Sequence, residues 1–105
     1  MFKINNAANM NGTSFHDTTV NAIPSTLIER LGEPREGSSD GKVQLTWSFS
    51  DDDGNVFTLY DWKEYDINVK ESTTSIEFHV GSRTPDLEYD FEKWLKSQIS
   101  LGVIA

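Results

Sequence analysis

The sequence predicts an α+β domain: a small antiparallel β-sheet of three to five strands, a short N-terminal helix, and a long C-terminal helix packed on the sheet. Two observations lead to this prediction. Apolar and polar residues alternate in three segments around Trp47, Leu59 and Phe78, which is the period of a strand with one buried face. Apolar residues then recur at helical spacing from Leu87 to Ile99. At 105 residues, the chain is predicted to form one domain.

The N-terminal third predicts an arm, an edge strand and a short helix. Residues 5–12 are rich in asparagine and small residues, so we expect a loop or a loosely held arm over residues 1–12. The β-favouring residues between positions 13 and 20 predict a short edge strand. Pro24 suits the first turn of a helix whose apolar stripe ends at Leu31, and Gly32 provides its C-cap.

A β-hairpin is predicted where two of the alternating segments meet. Residues 43–49 give the first strand and residues 56–62 the second. Residues 51–55 form the turn, because the Asp-Gly pair favours the positive φ values of tight turns. The acidic run is not an EF-hand loop, since Tyr60 stands where that loop needs its bidentate glutamate.

The third strand and the long helix complete the predicted fold. Residues 76–80 alternate between apolar and polar, which places Glu77 and His79 on the face away from the main core. Thr84 is the expected N-cap of the long helix, with Pro85 at its first position.

The composition limits the classes of function. The net charge of −8 argues against direct binding of nucleic acid, which needs a basic surface. The chain has no cysteine and its two histidines lack the spacing of a zinc site, so no cofactor or metal is predicted. No apolar run reaches the length of a membrane span and no signal peptide opens the chain. We therefore expect a cytoplasmic protein without a membrane partner.

The predicted ligand site combines aromatic and anion-binding side chains. Tyr60 and Trp62 are polar-tipped aromatics on one strand face, where they can stack on a base or anchor a partner. Residues 80–84 place a glycine, two hydroxyls and an arginine before the long helix, and helix N-termini bind anions. The predicted site is Tyr60, Trp62, Lys63, His79, Ser82 and Arg83, the last four of which would hold phosphate.

Ordinary structural roles remain open for each of these groups. Gly81 can simply make a turn, Arg83 can be a solvated charge, and His79 can be a plain surface residue. The short first helix can cover the face that carries Tyr60 and Trp62. If that face stays open, it suits ligand binding or assembly into a homo-oligomer.

Several strings of the sequence, taken in order, resemble a family of small proteins of bacteriophages and mobile elements. Members of that family read Gly-Thr-Ser, then a helix ending in Phe-Gly-x-Pro, a strand with a tryptophan, Tyr-Asp-Trp-Lys, and Trp-His-Ile-Gly-Gly. The corresponding strings here are Gly12-Thr13-Ser14-Phe15, Leu31-Gly32-Glu33-Pro34, Asp40-Gly41-Lys42-Val43 with Trp47, Tyr60-Asp61-Trp62-Lys63, and Phe78-His79-Val80-Gly81. The resemblance implies a phage accessory protein that acts against host defence in the cytoplasm of an infected bacterium, rather than a metabolic enzyme.

Three hypotheses about function follow. The first is a non-enzymatic, oligomeric protein that sequesters a small anionic, nucleotide-like ligand in the predicted site. The second is an acidic inhibitor that blocks a basic surface of a host defence nuclease, of the anti-CRISPR or anti-restriction type. Its phosphate-mimicking residues would be Asp51, Asp52, Asp53, Asp86, Glu88, Asp90 and Glu92. The third is a small hydrolase that uses His79 with Glu77, and it ranks last because no nucleophile or metal set accompanies the pair.

Overall fold

The computed structural model describes residues 1–35, 43–62 and 72–100. These residues form an antiparallel sheet in the order β1-β3-β4-β5-β2, with two helices, which confirms the predicted α+β class. The strands are β1 (Lys3–Ile4), β2 (Ser14–Ala22), β3 (Thr46–Ser50), β4 (Val56–Asp61) and β5 (Ile76–Ser82). The helices are α1 (Pro24–Leu31) and α2 (Glu88–Ser100).

The β3–β4 hairpin has the predicted turn. The Asp51 carboxylate accepts hydrogen bonds from the backbone amides of Asp53 and Asn55, at 2.9 and 2.8 Å, and Gly54 has a φ of +81°. Burial acts to raise the pKa of Asp51, but the hydrogen bonds from Asn55 and Asp53 outweigh it and hold the pKa below its usual range. The acidic run therefore forms a turn that the Asp51 carboxylate stabilises by accepting hydrogen bonds from the turn's own backbone.

Both helices lie on the same side of the sheet, which we call the helix face. From α2, Phe91 and Leu95 are fully buried, and the Phe91 ring stacks on Phe57 with centroids 4.7 Å apart. Helix α1 begins at Pro24 and ends before Gly32, whose φ is +85°. The Trp47 indole of β3 donates a 2.8 Å hydrogen bond to the Gly32 carbonyl, which fixes the end of α1 against the sheet. No helix among the described residues covers the opposite side.

That opposite side, the cleft face, carries the alternate residues of each strand. The register pairs Thr46 with Tyr60, Ser48 with Thr58, Thr58 with Gly81, and Tyr60 with His79, and directly paired residues share a face. Tyr60 therefore lies on the face opposite Leu59, as strand alternation predicted.

The N-terminal segment lies across part of the cleft face, where we expected a loosely held arm. Asn5 donates its backbone amide to the Ser48 carbonyl at 2.8 Å, and the Ser48 amide donates to the Asn6 side-chain oxygen at 3.0 Å. Because of this cover, all five residues of β3 are buried, although alternation predicted only one buried face. Polar contacts, rather than apolar ones, bury the second face.

Strand β5 continues two residues further than predicted. Gly81 and Ser82 pair with β4 and β2 and do not form the expected loop before the helix. Thr84 occupies the N-cap position but makes no side-chain cap, and a 3-10 turn, Pro85–Leu87, precedes α2. None of the helices in the described part of the chain is long and apolar enough to cross a membrane.

Candidate functional site

A cleft of about 330 Å³ opens on the cleft face. Its floor is the central sheet, through Thr46, Thr58 and Gly81, and the rings of Tyr60 and Trp62 form one wall. The N-terminal segment provides further lining through Met10, Thr13 and the adjoining Ser14, and Val43 lines the end before β3. The cleft thus exists because this segment crosses a sheet face that no described helix occupies.

The aromatic wall belongs to a cluster that gathers three of the predicted site residues. Tyr60 meets Trp62 edge-on, with centroids 6.3 Å apart, and meets His79 edge-on at 5.6 Å. The Trp62 and His79 rings lie nearly parallel, at 25° and 6.2 Å. Trp62 remains 41% exposed. Large aromatic rings that hold each other in place yet keep an accessible face are suited to stacking on a planar ligand.

Phe15 is a member of this cluster that the sequence did not indicate. Its ring stacks on His79 at 4.1 Å and 14°. The contact depends on the β2–β5 register, which shifts between Phe15 and Thr19, where Asp17 adopts a φ of +72°. A bulge of this kind changes the direction of side chains at a strand edge. The only feature of the sequence that indicates this bulge is Asp17, because aspartate tolerates a positive φ better than most residues.

Ser82 lies on the other side of the sheet from the cleft. Its side chain is fully buried and donates a hydrogen bond to the Glu88 carboxylate, which is itself only 3% exposed. Since Ser82 pairs with Phe57, it faces the helices. The prediction that Ser82 holds a phosphate is therefore not supported by its position, because strand β5 carries it into the core instead of a loop.

Arg83 is exposed but is engaged by the N-terminal segment. Its Nε donates to the Asn11 carbonyl at 2.6 Å and its Nη2 to the Asn9 carbonyl at 2.5 Å. Arg35 similarly donates to the Ala8 carbonyl and to the Ser48 hydroxyl, both at 3.0 Å. Two arginines thus hold the N-terminal segment that lines the cleft. Arg35 bonds to it at Ala8, and Arg83 bonds to the residues on either side of Met10.

Charged groups are sparse in the cleft itself. No residue that lines it within the described ranges carries an ionised side chain at neutral pH. Lys63, the remaining predicted phosphate ligand, lies outside the described residues. Burial, and then the Glu88 carboxylate, raise the pKa of Tyr60, so its phenol stays protonated at neutral pH.

Asp61 is fully buried and serves the backbone. Its Oδ1 accepts hydrogen bonds from the amides of Gln44 and Leu45, at 2.9 and 2.7 Å, while its Oδ2 has no partner among the described residues. Burial raises the pKa of this carboxyl even though the two amides act to lower it. Asp61, which precedes Trp62 in the sequence, therefore fixes the chain that enters β3.

The predicted pair of His79 with Glu77, and the pair that the structure forms between His16 and Ser14, both have geometry that is unfavourable for catalysis. His79 Nε2 lies 3.7 Å from Glu77 Oε1, beyond hydrogen-bond distance. His16 Nε2 lies 3.2 Å from both Ser14 Oγ and the Ser82 carbonyl. A carbonyl only accepts, so this bond requires a proton on Nε2, and the same nitrogen cannot then act as a base towards Ser14.

The acidic residues of the inhibitor hypothesis do not form one surface of free charges. Asp51 bonds to its own turn, Asp52 pairs with the N-terminal amine at 2.7 Å, Glu92 pairs with Lys96 at 2.8 Å, and Glu88 is buried. The charges that remain exposed lie on the hairpin turn and at the start of α2.

The described ranges contain no group of three or more histidine, cysteine or carboxylate side chains that could hold a metal ion. A scan against models of known protein families found no match for this chain, and a search of curated proteins found none either.

Proposed function

We propose that this protein binds a small nucleotide-like molecule in the cleft and does not transform it. The observation that carries the proposal is the position of Tyr60 and Trp62, whose rings form a wall of a 330 Å³ cleft and are supported from behind by His79. Base–aromatic stacking is tolerant of base identity and contributes about 1–3 kcal/mol per base. A base placed against this wall would be held between it and the N-terminal segment.

The size of the cleft limits what enters it. Ligand sites commonly range from about 300 to 1,000 Å³, and this cleft is at the lower end. One base with its sugar is therefore the part of the ligand that we place inside. Phosphate groups, or a second nucleoside, would remain at the mouth.

The anionic part of the ligand depends on cations at the rim. Arg83 is the predicted phosphate ligand that we retain, because it is exposed and lies against residues 9–12, next to the cleft-lining Thr13. Ser82 is omitted because it is buried on the helix face. Binding without turnover agrees with the unfavourable geometry of the histidine pairs.

The biological setting that we propose is sequestration of a nucleotide signal by a phage-type accessory protein. Four of the strings that resemble the phage family, those at residues 12–15, 40–43, 60–63 and 78–81, each contribute a residue to the cleft. Assembly into an oligomer and action in an infected bacterial cytoplasm belong to the same proposal. The inhibitor hypothesis has less support, because its carboxylates are partly buried or paired.

Calorimetric titration with AMP, GMP, UMP and cyclic di-AMP tests the proposal. We expect at least one of them to bind, and Trp62→Ala to weaken that binding by about fivefold to a hundredfold, the loss of one stacking contact. Tyr89→Ala is the matched control, because Tyr89 is 71% exposed on α2 and lies outside the cleft. If none of the four probes binds, or if Trp62→Ala and Tyr89→Ala bind equally well, the proposal is wrong.

A further inference from the structure

We infer that the hydroxyls of Thr46 and Thr58 read the polar edge of the ring that enters the cleft, an inference that rests on the proposed function. Both residues line the cleft. Thr46 is 8% exposed and Thr58 is 4% exposed. Neither hydroxyl makes a hydrogen bond within the described part of the chain, so both are available to a ligand.

These two hydroxyls differ from three neighbouring hydroxyls, those of Ser48, Thr13 and Ser50. The Ser48 hydroxyl donates to the Asn5 carbonyl at 2.6 Å, and the Thr13 hydroxyl donates to the Met10 carbonyl at 2.7 Å. The Ser50 hydroxyl accepts from the Asn5 side chain at 3.3 Å. Buried polar side chains are normally hydrogen-bonded, and an exception calls for an explanation such as a bound molecule. Among the described residues, the Thr84 hydroxyl is also buried without a partner, but Thr84 does not line the cleft.

The sheet register keeps the two hydroxyls close together and accessible. Thr46 pairs with Tyr60, and Thr58 pairs with Ser48 on one side and Gly81 on the other. Thr46 and Thr58 are therefore diagonal neighbours on adjacent strands of one face, a spacing of about 7–8 Å. Because Gly81 has no side chain, nothing from β5 stands over the Thr58 hydroxyl.

This arrangement specifies the chemistry of the ring. Each hydroxyl can donate one hydrogen bond and accept others, so the pair suits a planar edge that carries both donors and acceptors, as purine and pyrimidine bases do. A purely apolar ring would cover the two hydroxyls without bonding them, which is unfavourable. We therefore assign recognition of the base edge to the threonines and stacking to Tyr60 and Trp62.

The test combines protein and ligand changes. Thr46→Val and Thr58→Val remove the hydroxyl and preserve the β-branched shape. Each is titrated with the mononucleotide among AMP, GMP and UMP that binds wild type most tightly, and with its partner that lacks one polar ring substituent. The partners are purine riboside monophosphate for AMP, inosine monophosphate for GMP, and pyrimidin-2-one riboside monophosphate for UMP.

We expect at least one valine variant to weaken binding of the natural mononucleotide by about threefold to tenfold, the effect of one hydrogen bond, and to change binding of the partner much less. The matching Thr→Ser variant keeps the hydroxyl and should restore most of the affinity. Thr19→Val is the control, since Thr19 pairs with His79 on the same face but does not line the cleft. The valine variants should melt at or above the wild-type temperature, because they lose a hydroxyl that has no partner.

The outcomes separate this inference from the proposed function. If wild type binds a mononucleotide and both valine variants bind it equally well, the inference is overturned and the proposed function stands. Equal losses for the natural nucleotide and its partner would show that the threonines do not read the substituent that distinguishes the two. If wild type binds none of the mononucleotides, the inference fails, and the proposed function fails with it only if cyclic di-AMP does not bind either.

Discussion

A Cβ atom on Gly81 would lie 2.5 Å from the hydroxyl oxygen of Thr58, so any side chain at residue 81 requires the Thr58 side chain or the strand to shift. The backbone of Gly81 has no positive φ, and its role is therefore close approach rather than conformational freedom. The same absence of a side chain leaves room above the cleft floor. One glycine thus serves both the sheet and the cleft.

Gly81→Ala tests this relationship. The added methyl has to displace Thr58 or the strand, and we expect the free energy of unfolding to fall by about 1–3 kcal/mol. In Gly81→Ala/Thr58→Ala, the obstructing hydroxyl is gone, so the double variant should be little less stable than Thr58→Ala alone. Urea unfolding of the four proteins measures this coupling. If the losses in free energy of unfolding of the two single variants simply add in the double variant, the contact between residue 81 and the Thr58 hydroxyl does not limit the packing of β4 against β5.

Asp61 should make stability depend on pH in the direction opposite to most carboxylates. Its pKa is raised in the folded protein, so between the unfolded value of about 3.9 and the raised value the unfolded chain releases a proton that the folded one keeps. The stabilising contribution of the protonated carboxyl is therefore present at low pH and is lost as pH rises through this window. Asp61→Asn cannot titrate, so its stability relative to wild type should increase with pH across the window.

Urea unfolding at several pH values compares wild type, Asp61→Asn and Asp61→Ala. The asparagine retains the side-chain oxygen that accepts from Gln44 and Leu45, whereas alanine removes the acceptor of the buried Leu45 amide and of the partly buried Gln44 amide and should cost about 2–4 kcal/mol. If the difference in free energy of unfolding between Asp61→Asn and wild type does not change with pH, the raised pKa of Asp61 is refuted. If Asp61→Asn and Asp61→Ala lose the same free energy of unfolding, the hydrogen bonds of Asp61 to the two amides do not contribute as described.

The two arginines should hold different parts of the N-terminal segment. Arg83→Gln removes the donors to Asn9 and Asn11, and we expect faster hydrogen exchange at the Thr13 amide, which bonds to the Met10 carbonyl. Arg35→Gln removes the donor to Ala8 and should speed exchange at the Asn5 amide instead. Each variant is the control for the other. Uniform changes across the segment in both variants would indicate that the segment opens as one unit.

Neutralising the exposed acidic side chains separates the two leading hypotheses. The triple variant Asp53→Asn/Asp86→Asn/Asp90→Asn removes negative charge from the hairpin turn and from the start of α2, outside the cleft. If the cleft is the functional site, nucleotide affinity should change by less than about threefold, since these exposed charges are screened. A large loss of nucleotide affinity in this variant would contradict the assignment of binding to the cleft.

The sequence predicted those parts of the fold that depend on local periodicity or turn chemistry. The hairpin turn at Gly54 and the apolar stripe of α2 were recognised because their signals lie within a few neighbouring residues. The grouping of Tyr60, Trp62 and His79 also followed, since strand alternation places such residues on one face. The cover provided by residues 5–13 was not predicted, because asparagine side chains bonded to a distant strand leave no periodic signal.

The other differences between the predicted and the observed structure also arise from contacts between residues that are distant in the sequence. Ser82 was expected in a loop because Gly81 precedes it, yet pairing with β2 and β4 extends the strand by two residues. Phe15 joins the aromatic cluster only through a register shift, which local sequence does not encode. The free hydroxyls of Thr46 and Thr58 are recognisable only once their neighbours on other strands are known.

A nitrogen–proton correlation spectrum of the tryptophan indoles shows whether a bound nucleotide lies against Trp62. Trp62 borders the cleft, whereas the Trp47 indole is buried and bonded to Gly32, and Trp94 packs against Phe49 and Phe91 on the helix face. On titration with the tightest of the four nucleotides, we expect the Trp62 indole signal, assigned with Trp62→Phe, to shift progressively while the Trp47 and Trp94 signals stay in place. Saturable binding that leaves the Trp62 signal unchanged, or that shifts the Trp94 signal instead, would overturn the assignment of the ligand to the cleft.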